Sequence, residues 1–184
     1  MNKQVPALQQ VSTPQRGFTI VELLVTLAVA AVLMGFALPA MNNFLDQRTQ
    51  TARINDFVLA VNYARSEAAN LGSPVSIQAV AATADDEWGA GYCVVVGTPG
   101  TCNPPATDPP TLLRSFGPLS GMTLNGTGDF DGVATLTFNS RGMLTLGAAG
   151  SIQLCSTNEE RDPGRELTLT LIGRASTEAL ICHP

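Results

Sequence analysis

Three regimes of hydrophobic spacing follow one another along the chain. From Phe18 to Met41 the residues are apolar on every helical face and carry one charge, Glu22. A run of that length lets a helix cross the roughly 30 Å of bilayer hydrocarbon. From Ile54 to Leu71 the spacing becomes amphipathic: Ile54, Phe57, Val58, Val61, Ala64, Ala68 and Leu71 recur every three or four residues. Arg53, Asn55, Asp56, Asn62, Arg65 and Glu67 fill the other faces, with Arg65 and Glu67 expected in solvent. Gly72-Ser73-Pro74 ends the helix, because proline cannot continue its hydrogen-bond ladder. Counted from Phe18, such a helix is about 81 Å long at 1.5 Å per residue, more than a domain core needs. Its first half must therefore pack in lipid or against similar helices. Gly35 and Pro39 mark where it would bend.

After Pro74 the period falls to two. Val75 to Val80, Tyr92 to Val96, Leu112 to Phe116, Val133 to Phe138, Ile152 to Cys155 and Glu166 to Ile172 read as strands. They are separated by turns without intervening helices, which predicts an antiparallel sheet covered by the apolar stripe of the helix. The expected fold class is α+β, a lollipop with a stalk helix and a β head. The proline-rich stretch 97–110 cannot sustain a ladder and is expected to be an exposed loop clipped by Cys102. Four segments result: a leader at 1–17, an apolar half-helix at 18–41, an amphipathic half-helix at 42–72 and a head at 73–184.

Charge changes the picture in two ways. The chain carries 10 basic and 15 acidic residues, a formal charge of −5. Removing the leader takes Lys3 and Arg16 with it, and the remaining acidic surface repels phosphate backbones. Those same two residues are the only cations ahead of the apolar run, and no acid precedes it, so the amino terminus should stay cytoplasmic with the head outside the inner membrane. In that location four cysteines without a Cys-x-x-Cys spacing favour disulfides over metal ligation. Of three possible pairings, the sequence-local one joins Cys93 to Cys102 and Cys155 to Cys182.

Several weak signals carry no chemistry. Asp129-Phe130-Asp131-Gly132 and Asp85-Asp86-Glu87 lack the oxygen count and loop spacing of a calcium site, and fit hairpin turns and solvated loops. His183 is the only histidine, and Ser151 and Ser156 lack a nucleophile-elbow context, so no catalytic residue, metal or cofactor is expected. Trp88 reads as a core or loop anchor.

Glu22 is the exception. An unpartnered acid at mid-bilayer costs about 2.5 to 3.5 kcal/mol, so its place near the head of an apolar run calls for a functional reason. A secretory signal peptide has a shorter apolar run without an acid, and a generic anchor does not explain the order of residues around it. Arg16-Gly17-Phe18-Thr19-Ile20-Val21-Glu22 resembles the cleavage and assembly signal of type IV pilins and type II secretion pseudopilins. The resemblance implies prepilin peptidase cleavage between Gly17 and Phe18, N-methylation of Phe18, and a role for Glu22 in subunit assembly. It also implies major and minor pilins and the prepilin peptidase as partners, and passage from the inner membrane into a pilus or pseudopilus.

Further landmarks narrow the family. Phe57 to Ala68, with its Ala64-Arg65-Ser66-Glu67-Ala68 core, then Trp88-Gly89-Ala90-Gly91-Tyr92, Leu136 to Gly142, and Gly173-Arg174 resemble the GspH, FimT and FimU group of minor pilins and pseudopilins. The implied function is a non-enzymatic subunit that primes or caps a type IV pilus. A GspH-like secretion pseudopilin and a FimT-like DNA-uptake protein are the alternatives. In the DNA-binding branch the tail carries Gly-Arg-x-Arg, whereas Gly173-Arg174-Ala175-Ser176 lacks the second arginine. Arg165 and Arg174 would be the contacts in that branch, but the acidic balance argues against nucleic acid as a partner.

Overall fold

The computed structural model describes residues 17–84, 86–98, 101–102, 111–157 and 163–182, excluding the side chains of 36–40, 42–43 and 163. The leader up to Arg16, most of the 97–110 loop, Asp85, the charged stretch 158–162 and His183 lie outside the described residues. The chain divides into two units, Met1–Asn43 and Phe44–Pro184, with the boundary inside helix α1, Ile20–Leu71.

In the first unit, the described apolar side chains of α1 from Ile20 to Met34 are exposed, apart from the half-buried Ala30. Among the described residues no helix is long and apolar enough to cross a membrane. The described side chains of the apolar run break off after Gly35 and resume at Met41.

In the second unit, α1 buries Ile54, Phe57, Ala60, Val61, Ala64 and Ala68. The small residues at 60, 64 and 68 let its backbone lie close to the sheets. Phe57 supplies bulk, meeting Trp88 edge-on at 5.4 Å and Tyr92 at 4.8 Å between ring centroids, and Tyr92 stacks on Phe116 at 4.7 Å. Leu71 and Val58 belonged to the expected stripe, yet Leu71 is exposed and Val58 half-buried. Trp88 is fully buried, as an anchor should be.

The head contains β1 (Val75–Ala79), β2 (Tyr92–Val96), β3 (Leu112–Phe116), β4 (Met122–Thr127), β5 (Thr135–Phe138), β6 (Gly150–Ser156), β7 (Pro163–Leu169) and β8 (Ala175–Ile181). They form two antiparallel sheets, ordered β3-β2-β1-β5 and β4-β6-β7-β8, where one sheet was expected. Two strands escaped the sequence reading. β4 is interrupted by Asn125 and Gly126, and β8 carries Ala175, Ser176, Glu178 and Ala179 among its seven residues, so neither carries strong strand propensity. Both are edge strands, paired on one side only, where neighbours rather than propensity decide. β7 ends at Leu169, leaving Leu171 and Ile172 exposed in the turn to β8.

The segment between β1 and β2 stitches the sheets together. Asp86 Oδ1 accepts a hydrogen bond from the Leu124 amide at 2.7 Å, and Glu87 accepts from the Gly126 and Gly132 amides at 2.9 Å each. Asp86 and Glu87 are therefore not the solvated loop acids expected from sequence. Glu87 is 1% exposed, and its carboxylate satisfies amides at the β4 edge and in the loop that follows. A buried carboxylate is tolerated because each oxygen has a donor.

Candidate functional site

Two places carry the residues singled out by sequence, one in each unit. At the start of α1, Thr19 is the cap: its hydroxyl accepts from the Glu22 amide at 3.2 Å and its carbonyl from the Leu23 amide at 3.2 Å. Thr-x-x-Glu is the order of a capping box, a signal present in the sequence and passed over there. Glu22 thus stands in the first turn, where its charge also complements the helix dipole. Phe18, just outside the helix, is 83% exposed, and Gly17 has nothing within 4 Å of the position a Cβ would take. The backbone on both sides of the Gly17–Phe18 bond is open to an approaching protein.

The second place joins landmarks that are far apart in sequence. Arg65 donates from Nε to the Gly142 carbonyl at 3.0 Å and from Nη1 to the Gly173 carbonyl at 3.1 Å. Gly142 lies in the turn after β5, in one sheet, and Gly173 in the β7–β8 turn, in the other. One guanidinium therefore fastens α1 to both sheets, which corrects the expectation that Arg65 is solvated. The turns also touch directly, the Leu144 amide donating to the Leu171 carbonyl at 3.0 Å. Both glycines have positive φ, 72° and 73°. At Gly173 a Cβ would stand 2.5 Å from Arg65 Cδ and 3.0 Å from the Gly142 carbonyl oxygen, so space as well as backbone requires glycine. Beside this latch is a groove of about 320 Å³ lined by Asn62, Arg65, Ser66, Ala69, Arg141 and Gly142.

The disulfides Cys93–Cys102 and Cys155–Cys182 close at Cα separations of 5.6 and 5.9 Å. The second crosses β7 to tie the end of β8 to β6. Gly164 makes room for it, since a Cβ there would lie 2.3 Å from Cys182 Sγ. Arg165 and Arg174 do not converge. Arg165, on β7 opposite Ala179, lines a groove with Phe44, Gln47, Arg48 and Thr51, whereas Arg174 is exposed beyond the other end of the strand. Among the described residues no group of acids, histidines or cysteines is arranged to hold a metal.

Against this geometry, comparison with known proteins is specific. A model described as the prokaryotic N-terminal methylation motif matches residues 12–38. The type IV minor pilin FimU of Pseudomonas aeruginosa matches at 26% identity, over 73% of this chain and 92% of that one, with a TM-score of 0.58. A second crystal form of FimU matches at 27% identity and a TM-score of 0.55, over 70% and 91% of the two chains. The minor pseudopilin EpsH of the Vibrio cholerae type 2 secretion system is 14% identical, over 70% and 95%, at a TM-score of 0.48, which carries no weight. No curated protein matches. The family described as type II transport protein GspH matches residues 53–173, a segment that includes Arg65, Gly142 and Gly173, and the chain belongs to that family of minor type IV pilins and pseudopilins.

Proposed function

We propose that this protein is a minor pilin, held in the inner membrane by the apolar half of α1 and extracted from it into a fibre. The observation that carries the proposal is an apolar segment of α1 exposed on every described face and continuous with a helix packed against the sheets. A helix apolar all round needs lipid or other helices, and a fibre core supplies the second when the first is lost. On this reading prepilin peptidase cuts the exposed Gly17–Phe18 bond and Phe18 becomes the methylated amino terminus. Glu22 then pairs with an amino-terminal ammonium, its own or a neighbour's, offsetting the desolvation that neither charge bears well alone. The amino terminus stays cytoplasmic until extraction, and the head, without a catalytic role, lies outside the membrane and meets other pilins.

Membership of a pilus is favoured over a secretion pseudopilus by the match to FimU, and priming or capping is the role that follows. Mass spectrometry of fibre-associated protein tests the proposal. The expected species begins with methylated Phe18. An intact Met1, or a start near Met41, refutes it. Glu22→Ala is expected to remain in the membrane fraction while its recovery in sheared fibres drops at least tenfold, and normal recovery would remove Glu22 from the assembly role.

A further inference from the structure

The two turns fastened by Arg65 expose an unusual surface. Met143, Leu146, Leu171 and Ile172 are 40%, 38%, 42% and 60% exposed. The Leu144–Leu171 backbone bond and the shared guanidinium hold their turns side by side. Arg141 and Arg174, each next to one of the latch glycines, are exposed there too. Residues 139–147 and 170–176 contain no acid, although the whole chain carries five more acids than bases. Exposed apolar side chains grouped on turns, which are usually polar, mark an interaction surface.

We propose that this surface docks an acidic, apolar segment of a neighbouring pilin subunit. The apolar side chains of that segment would cover Leu171 and Ile172, and its carboxylates would meet Arg141 and Arg174. Charge complementarity argues for this occupant. The two cations have no ion-pair partner among the described residues, where the one salt bridge is Arg53–Asp56 on α1. The groove beside the latch also offers the Asn62 amide as a donor to a carboxylate. Nucleic acid is the poorer match, because four apolar side chains gain nothing from phosphate and two arginines supply little counterion release. The latch holds the surface in one shape, so little ordering cost attends docking.

The inference rests on the proposed assembly into a fibre, and its test separates the two. A photo-crosslinking residue is placed at Leu146 in the full chain, in the membrane of the producing cell, with and without Ile172→Asp or Arg174→Glu. The expected crosslink joins Leu146 to a pilin, identified by its methylated amino-terminal peptide, at a segment containing Asp or Glu. Its yield should fall at least tenfold in either variant. Peptide mapping of both disulfides checks folding, and if Ile172→Asp loses them, the milder Ile172→Ser is scored instead. An unchanged yield, no subunit crosslink, or crosslinks to DNA or lipid overturns the docking surface. Failure of the unmodified chain to appear in sheared fibres refutes fibre assembly instead.

Discussion

Arg65→Ala should cost the head far more than a surface substitution. Hydrogen bonds from a charged donor contribute about 1.5 to 3 kcal/mol each, and removing the donor leaves two carbonyls in need of partners. Arg65 is only partly buried, so the lower end applies to each of its two bonds, 3.0 and 3.1 Å long. Adding the packing of the lost stem, the expected cost is about 3 to 4 kcal/mol, against the 5 to 15 kcal/mol typical of a domain. The head should remain folded but melt roughly 6 to 16 °C lower, at about 2 to 4 °C per kcal/mol for its size. Trp88 is the only tryptophan and is fully buried, so its fluorescence in the detergent-solubilised full chain reports the transition. A double-mutant cycle sharpens the test. Gly173→Ala in the native background suffers a positive-φ penalty of about 1 to 2 kcal/mol and an overlap with Arg65 Cδ, whereas in Arg65→Ala the overlap is gone. Gly173→Ala should thus cost at least about 1 kcal/mol less in the second background. A loss below about 1 kcal/mol for Arg65→Ala would show that the latch contributes little, and strict additivity would show that Gly173 is not needed to make room for Arg65.

Gly164→Ala should block closure of Cys155–Cys182, because its Cβ would meet Cys182 Sγ at 2.3 Å; thiol mapping should find both cysteines free, and an intact bridge would refute the steric argument. Loss of that bridge removes roughly 3.5 kcal/mol of loop-closure stabilisation, read as a lower urea midpoint. Glu87→Gln replaces one of two acceptors by a donor that faces an amide, so a loss of about 1 to 3 kcal/mol is expected in the same urea titration, and a neutral result would mean that the Gly126 and Gly132 amides find other partners. Burial, and secondarily the nearby Asp56 carboxylate, raises the Tyr92 pKa well above its ordinary value of 10.0. The folded head keeps that proton when the unfolded chain releases it, so Tyr92's contribution is whole below pH 10 and is lost progressively above it. Alkaline melts should show that decline, and Tyr92→Phe should flatten it.

The helix and the strands with strong alternation were legible because their periodicity is local. Ile54 to Ala68 declares its buried face every three or four residues, and Leu167 and Leu169 mark the inner face of β7. The division into two sheets was not legible, since it depends on which edges pair over long sequence distances. Arg65 was misread for a similar reason: helical spacing placed it on a polar face, correctly, but its partners are carbonyls 77 and 108 residues away. Backbone acceptors leave no mark in a sequence. The glycines do, and three separate landmarks, Arg65, Gly142 and Gly173, turn out to be one contact. Asp86 and Glu87 resembled any solvated acidic run, because the amides they cap belong to β4 and its following loop, one of the segments with the weakest strand signal.

The side-on packing of α1 has a mechanical consequence. A pull directed along the helix meets Ile54, Phe57, Val61, Ala64 and the two Arg65 bonds as elements loaded together in shear, not broken one after another. Detaching the helix requires them to yield at once. The sheets differ in where they would fail first. β8 is sewn to β6 by Cys155–Cys182, whereas β5 is joined to β1 by its backbone ladder, the Ser76–Thr137 and Thr135–Gln78 side-chain hydrogen bonds and packing, without a disulfide. Under tension, unravelling would begin at the unsewn edge, leaving the carboxy-terminal strand in place.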